Sequence, residues 1–256
     1  MRILLWAECQ KLRRSNILLL TAFATVFIAV FVFIGGKTTV DGVDFSESGG
    51  WYMATALTWA TMFILPAMIA LLGSYMICRE EQDDTIKQLR LIPINETKLT
   101  AAKMIVTFVL SVLIYLLLFI ITFVIEAVLH FSALSMQAVI AFLKIYLIQG
   151  AGVFFAVSPI IAIVPYMKKS YWLALLLAEI YSFSALFMSM SNALKHFYPI
   201  TAVFGVSGYY ETTVQELVCC VVTLSLCGCL AAALLAGLNH SQKGKTNEEK
   251  IIGELQ

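Results

Sequence analysis

Six apolar runs, each long enough to cross a bilayer, constrain this chain more than any motif in it. They extend over Asn16–Ile34, Met53–Ile77, Ala102–Val128, Ile145–Val164, Tyr171–Met190 and Val214–Leu238, and a helical span needs about 20 predominantly apolar residues. The expected fold is therefore all-α: a polytopic membrane protein with six transmembrane helices. Composition points the same way. Charged residues make up 13% and hydrophobic residues 61%, whereas a soluble domain carries about 25% charged residues. With 256 residues so committed, the reading is a single transmembrane domain over 1–256 with short loops. Any catalytic module belongs to another chain.

Lys and Arg set the orientation, because cytoplasmic loops collect them. Of the 17 Lys and Arg residues, all but Lys37, Lys144 and Lys195 fall in the N-terminal arm, the connections after the second and fourth spans, the start of the third, and the C-terminal tail. The first loop on the opposite face carries Asp41, Asp44 and Glu47. Both termini are expected in the cytoplasm. The positive charge sits beside membrane spans, so it gives no reason to expect nucleic acid.

The N-terminal arm is not a secretion signal, since the apolar run after it is too long and no small-residue cleavage site follows. Ile3, Leu4, Trp6, Ala7 and Leu12 alternate with Glu8, Gln10, Lys11 and Arg13, a pattern that predicts an amphipathic interfacial helix. Trp6, Lys11, Arg13 and Arg14 are its expected interfacial anchors. Ser191–Thr213 is too apolar for an ordinary loop and holds Phe197, Tyr198, Pro199, Gly205, Gly208, Tyr209 and Tyr210. A short re-entrant or interfacial helical hairpin fits it, as does an aromatic belt around a surface loop. In the sixth span Gly228, Ala232 and Ala236 form a strip of small residues that lets another helix approach. Cys9, Cys78, Cys219, Cys220, Cys227 and Cys229 lie in or beside apolar runs and are read as reduced packing residues.

Few residues carry chemistry. Gly36-Lys37-Thr38 resembles the end of a P-loop, but position 31 is Phe31 where that loop needs glycine. No nucleotide site or cofactor is expected in this chain. Glu80-Glu81 lacks the arginine and intramembrane histidines of a membrane metalloprotease: His130 and His196 fall in outer loops and His240 in the tail. No metal site is expected. Glu179 sits near the middle of the fifth span, where an ionised carboxylate costs about 2.5–3.5 kcal/mol. It is either a polar point in a substrate path or subunit contact, or a protonated acid bonded to Tyr181, Ser182 or a neighbouring helix. Glu126 and Lys144, on spans joined by a short turn, are expected to form an ion pair. Pro159 and Pro165 imply a kink in the fourth span.

The charged island that opens the segment 79–100 differs in kind. Glu80, Glu81, Asp83 and Asp84 precede Thr85–Leu91, where a helix dipole favours acids. Ile86, Leu89 and Ile92 share one face, Lys87 and Arg90 mark the other, and Pro93 stops the helix. Such a helix can dock a partner or rest on the membrane.

At these residues the chain resembles the ABC-2 type permeases, the membrane subunits of ATP-binding-cassette exporters. The likeness rests on Ala7-Glu8, Lys11-Leu12-Arg13-Arg14-Ser15, Glu80 and Glu81, Thr85-Ile86-Lys87 with Leu89, and Pro93-Ile94 with Lys103. Asp84 stands where many members carry glycine. The resemblance implies that Glu80, Glu81, Asp84, Thr85, Ile86, Lys87, Leu89 and Arg90 form the cytoplasmic coupling helix. It implies two ABC ATPase subunits that bind ATP and Mg, a second permease subunit, identical or homologous, and a bacterial plasma membrane. In size the chain is similar to the lantibiotic-immunity and bacitracin-resistance permeases, which implies outward movement of an amphipathic antimicrobial peptide or lipid-linked cargo. Two rivals remain at this stage: an ion-coupled carrier using Glu179 and Glu126, and a non-transporting sensor or assembly subunit.

Overall fold

The computed structural model describes residues 2–13, 15–36, 49–82, 96–130, 134–167, 171–191 and 194–254. They are almost entirely helical, with short turns between helices, and no strand occurs among them. The order is α1 (Arg2–Arg13), α2 (Asn16–Gly36), α3 (Trp51–Trp59), a π-helical turn (Ala60–Ile64), α4 (Leu65–Gln82), α5 (Glu96–His130), α6 (Met136–Ile163), a 3-10 turn (Val164–Met167), α7 (Tyr171–Ser189), a 3-10 turn (Leu194–His196), α8 (Pro199–Ser207) and α9 (Val214–Glu254). Six helices are long and apolar enough to cross a membrane, with α3, the π turn and α4 acting together as the second span over Trp51–Arg79. The chain is a multi-pass membrane protein.

The second span is the axis of the fold. In its most apolar window 78% of the residues are buried, against 17–33% in the other five. Its sequence explains this. Ala56, Ala60, Ala67, Ala70 and Gly73 are small, so neighbours come close, and Met53, Leu57, Leu65, Leu71 and Leu72 fill the remaining space. At Gly73 an added Cβ would lie 2.6 Å from Ile161 Cδ1. Close backbone approach is the means by which helices associate in a solvent as apolar as their own side chains.

The helix α5 packs on α6 through the same device. Gly150 faces the backbone of α5, where a Cβ would meet Val112 Cα at 3.0 Å, and Ser111 Oγ donates to the Gly150 carbonyl at 2.6 Å. The helix α6 starts at Met136, capped by Ser135, whose Oγ accepts from Ala138 N at 3.2 Å. That is nine residues before the apolar run at Ile145. Pro159 sits inside α6 and cannot donate to the Phe155 carbonyl; Ser158 Oγ donates there instead at 2.8 Å, which keeps that acceptor satisfied. Pro165 falls in the 3-10 turn that ends the span.

Between α7 and α9 the aromatic connection folds into a 3-10 turn and the short helix α8, which packs on α6, α7 and α9. Pro199 occupies its first turn, where a missing N–H costs nothing. Gly208 ends it at φ 77°, with Tyr209 N donating to Phe204 O and Gly208 N to Gly205 O, the paired bonds of a Schellman motif. Ile200, Val203 and Phe204 are fully buried, so this helix belongs to the core. Thr213 and Glu216 then cap α9 reciprocally: Thr213 N donates to Glu216 Oε2 at 2.8 Å and Glu216 N to Thr213 Oγ1 at 3.4 Å. None of the six cysteines is joined in a disulfide.

Candidate functional site

The second span is fastened at its two ends and in its middle, and each fastening draws on residues distant in sequence. At the end remote from α1 the fastener is Glu126 of α5, which is fully buried. Its Oε1 accepts from Gly50 N at 2.7 Å and its Oε2 from Tyr52 N at 3.1 Å, and His130 Nδ1 lies 3.1 Å from Oε1. A helix start leaves backbone N–H groups without partners and carries the positive end of the macrodipole. Here a carboxylate from another span satisfies them. Gly50 adopts φ 90°, a left-handed turn suited to glycine, and thereby aims its N–H at the carboxylate. The expected ion pair between Glu126 and Lys144 is not formed: Glu126 spends its oxygens on the cap and His130, while Lys144 is exposed on α6.

One helical turn further in, Tyr52 Oη donates to the Ala29 carbonyl at 2.6 Å, and Tyr146 Oη to the Met53 carbonyl at 2.7 Å. The span is thus bonded to α2, α5 and α6 close to its start.

In the middle lies the π turn Ala60–Ile64. A π turn inserts one residue and shifts the register of every side chain after it, and such turns concentrate at functional sites. This one places the Thr61 hydroxyl in the core. Thr61 Oγ1 donates to Gln149 Oε1 at 2.9 Å, so Tyr115 Oη, also 2.9 Å away, is the donor to Thr61. Gln149 Nε2 continues to Ser207 Oγ at 3.3 Å, and Ser207 Oγ to the Phe204 carbonyl at 3.0 Å. The chain of bonds crosses from α5 through the second span and α6 to α8. A parallel link joins Thr58 Oγ1 to Tyr209 Oη at 2.9 Å. Tyr115, Thr61 and Gln149 are fully buried, which makes each of these bonds expensive to break.

At the α1 end, Arg79 donates from Nη1 to the Lys11 carbonyl at 3.0 Å, and its guanidinium lies 5.5 Å from the Tyr75 ring centroid. Lys11 bridges to Glu8 at 2.9 Å. Glu8 and Leu12 are buried on this side, while Trp6 is 68% exposed. The amphipathic helix therefore has a docked face and a free face, the latter carrying Trp6 and Arg13. Glu80 and Glu81 follow Arg79 in the last turn of α4. Asp84, Thr85, Ile86, Lys87, Leu89 and Arg90, and also Arg14, lie outside the described residues.

Glu179 is half-buried on α7 and meets neither Tyr181 nor Ser182: the Ser182 hydroxyl is buried without a partner, and Tyr181 uses its carbonyl to accept from Tyr198 Oη. The expected local hydrogen bond is absent. Glu179 instead shares a helical row with Leu176, Phe183 and Phe187, which are exposed. That row continues an aromatic chain. Phe27 reaches Phe31, Phe31 reaches Trp59 at 6.4 Å, Trp59 stacks on Phe63 at 4.9 Å, and Phe63 meets Phe183 at 6.2 Å. Exposed and half-buried aromatic rings of three spans therefore form one wall with a carboxylate beside it. In the sixth span Gly228 abuts Phe155 of α6, where a Cβ would approach to 3.1 Å, while Ala232 and Ala236 of the same strip are exposed.

Sequence reading missed Thr61, Tyr115, Gln149 and Ser207, which stand singly among apolar residues. It also missed the role of His130, although the spacing Glu126 to His130 places both on one helix face.

Compared with known protein families, residues 4–185 match the family described as ABC-2 family transporter protein. The match runs from within α1 to within α7, takes in most of the fastenings above, and ends before α8 and α9. No curated protein matches the chain.

Proposed function

We propose, from the premise that the chain belongs to the ABC-2 family of transporter proteins, that it is the permease of an exporter whose power stroke enters through the second span. As a family member it is the membrane component of an ABC transporter and partners an ABC ATPase. In the proposed assembly two such ATPases bind ATP and Mg, and a second permease subunit completes the membrane part. Both termini face the cytoplasm of a bacterial cell, which puts α1 and Glu80–Arg90 on the ATPase side.

The observation that carries this reading is the construction of the second span. It is the most buried of the six spans, it leads directly into Glu80 and Glu81, and it is bonded at its start, middle and end to α1, α2, α5 and α6, and through Gln149 to α8. A push at residues 80–91 is thereby passed to α1, α2, α5 and α6 directly and to α8 through Gln149. ATP biases the permease only if the closed ATPase pair contacts its two states differently, and the coupling segment is where that difference enters. The cargo is an amphipathic antimicrobial peptide or a lipid-linked molecule, moved along the aromatic wall of α2, α3 and α7. Glu179 complements a cationic group there, because a carboxylate in the membrane needs a partner and aromatic faces attract cations.

The ion-coupled alternative loses one of its two carboxylates. Glu126 is occupied as a helix cap and cannot release that role without freeing two buried N–H groups. Co-purification in mild detergent with candidate ATPases tests the proposal. The intact chain should retain its ATPase, and the variant Glu80→Ala, Glu81→Ala, Leu89→Ala should lose it while inserting normally. Retention by the variant, or by neither protein, sinks the assigned coupling segment.

A further inference from the structure

Glu179 stands alone at the middle of its span. The ends of α7, Tyr171 and Ser189, lie about 12 Å and about 15 Å from it along the helix at 1.5 Å per residue. Among the described residues no hydrogen bond or ion pair reaches its carboxyl group. The elements packed against α7 are α4, the π turn, α6, α8 and the 3-10 turns at its two ends. They carry charge only toward the membrane surfaces: Arg79, Glu80 and Glu81 at the α1 end, and Lys144, Lys195 and His196 at the other. The tyrosines and cysteines between those ends supply no countercharge. Tyr75 lies against Arg79, and Tyr146, Tyr166 and Tyr198 donate to the carbonyls of Met53, Leu234 and Tyr181. Cys78 and Cys227 carry no positive charge in any state.

A carboxylate at that depth is costly unless a cation pairs with it. The acid form needs no such partner. What does stand beside Glu179 is aromatic: Phe183, one turn on along α7, is 48% exposed and meets Phe63 at 6.2 Å, and Phe63 stacks at 4.9 Å on Trp59, itself 42% exposed. Ring faces attract cations, and the same rings suit an apolar body. We propose, resting on the cargo path along α2, α3 and α7, that Glu179 is protonated when no cargo is bound and gives up its proton as a cationic cargo group arrives, one proton exchanged for one positive charge. The carboxyl O–H breaks, its proton passes to water, and the carboxylate pairs with the cation. When cargo leaves, the carboxylate takes a proton back from water. The site is neutral in both states, so no unpaired ion stands in hydrocarbon at either stage. ATP supplies the work of transport, and the exchange selects the cargo: a molecule with one cationic group on an apolar body.

Binding favours the ionised acid, so affinity rises with pH, about tenfold per unit while the cargo-free site holds its proton. Equilibrium dialysis of tetraphenylphosphonium, a permanent cation with an apolar body, against the full chain in mild detergent tests this over a pH series spanning neutrality, with empty micelles subtracted. The intact chain should show the tenfold slope, and in weak buffer it should release one proton per cation bound. Glu179→Gln keeps the shape of the acid form; it should remain monodisperse, bind more weakly, and lose both the slope and the proton release. Binding that needs Glu179 yet is the same at every pH overturns the proton exchange and leaves the cargo path in place. Binding that Glu179→Gln does not alter, or no binding to the intact chain, overturns both. A changed oligomeric state in Glu179→Gln also overturns the proposal, since the carboxyl group then belongs to a subunit contact.

Discussion

The carboxylate of Glu126 holds the amide of Gly50 at 2.7 Å, and by that contact the third span closes the start of the second. A cap is ordinarily supplied by a side chain next to the helix it serves. Here it comes from 76 residues away, so forming the second helix and packing it on α5 become one event.

Replacing Glu126 with Ala should therefore destabilise the protein by about 2–4 kcal/mol, the sum of a lost cap and buried N–H groups left without acceptors. Glu126→Gln keeps a carbonyl acceptor and should lose less. His130→Ala, which touches one oxygen from a partly exposed position, should lose least. Thermal unfolding in a fixed detergent ranks the three, and the order Ala, Gln, His130→Ala is the expected result.

At Gly150 the neighbour is backbone. An alanine there drives its Cβ against Val112 Cα, Tyr115 Cβ and the Ser111 carbonyl oxygen, so α5 and α6 must separate. Gly150→Ala should cost about 1–3 kcal/mol, as overpacking does. Ala at Gly35, where no atom lies within 4 Å, is the control and should leave the unfolding temperature in place.

Thr61→Val retains the shape of the side chain and removes its hydroxyl, leaving Tyr115 Oη and Gln149 Oε1 without their partner. A loss of about 1–3 kcal/mol follows for each buried group so stranded. If the polar chain transmits motion from the second span to α8, the variant should still bind its ATPase yet show weaker coupling of ATP hydrolysis to transport. A double-mutant cycle with Tyr115→Phe measures the shared bond, and additivity would mean that the two hydroxyls are not coupled.

Arg79 clasps α1 through the Lys11 carbonyl. Bonds from charged donors contribute about 1.5–3 kcal/mol, so Arg79→Ala should open α1 from the bundle roughly ten- to a hundredfold more often. Limited proteolysis of the N-terminal segment should accelerate by that factor, with the rest of the chain unchanged. Equal cleavage rates would place the docking energy in Leu12 alone.

The architecture was legible because lipid leaves the backbone few choices. Length, hydropathy and the placement of Lys and Arg are enough to locate six spans, and the Pro and Gly residues of Ser191–Thr213 mark a helix that begins at Pro199 and ends at Gly208. The apolar run at Ile145 does not mark the start of α6, because Met136–Lys144 is helical yet partly exposed, so hydropathy falls before the helix does; Ser135 is the signal available. Glu126 was misassigned to Lys144 because charge suggests a charged partner, whereas a buried carboxylate is equally satisfied by the amides of a helix start. No pattern announces the π turn at Ala60–Ile64. Thr61 reads as one hydroxyl in an apolar run, and only the packing of four helices shows where it points.

The central claim is that nucleotide at the partner ATPase moves the second span. Its most direct test is the distance between spin labels placed at Trp59 on that span and at Lys144 on α6, both exposed, in the complex with its ATPase. The account predicts that the distance distribution shifts between the nucleotide-free and ATP-trapped complexes. Identical distributions in the two states would leave the second span at rest during the power stroke and contradict it.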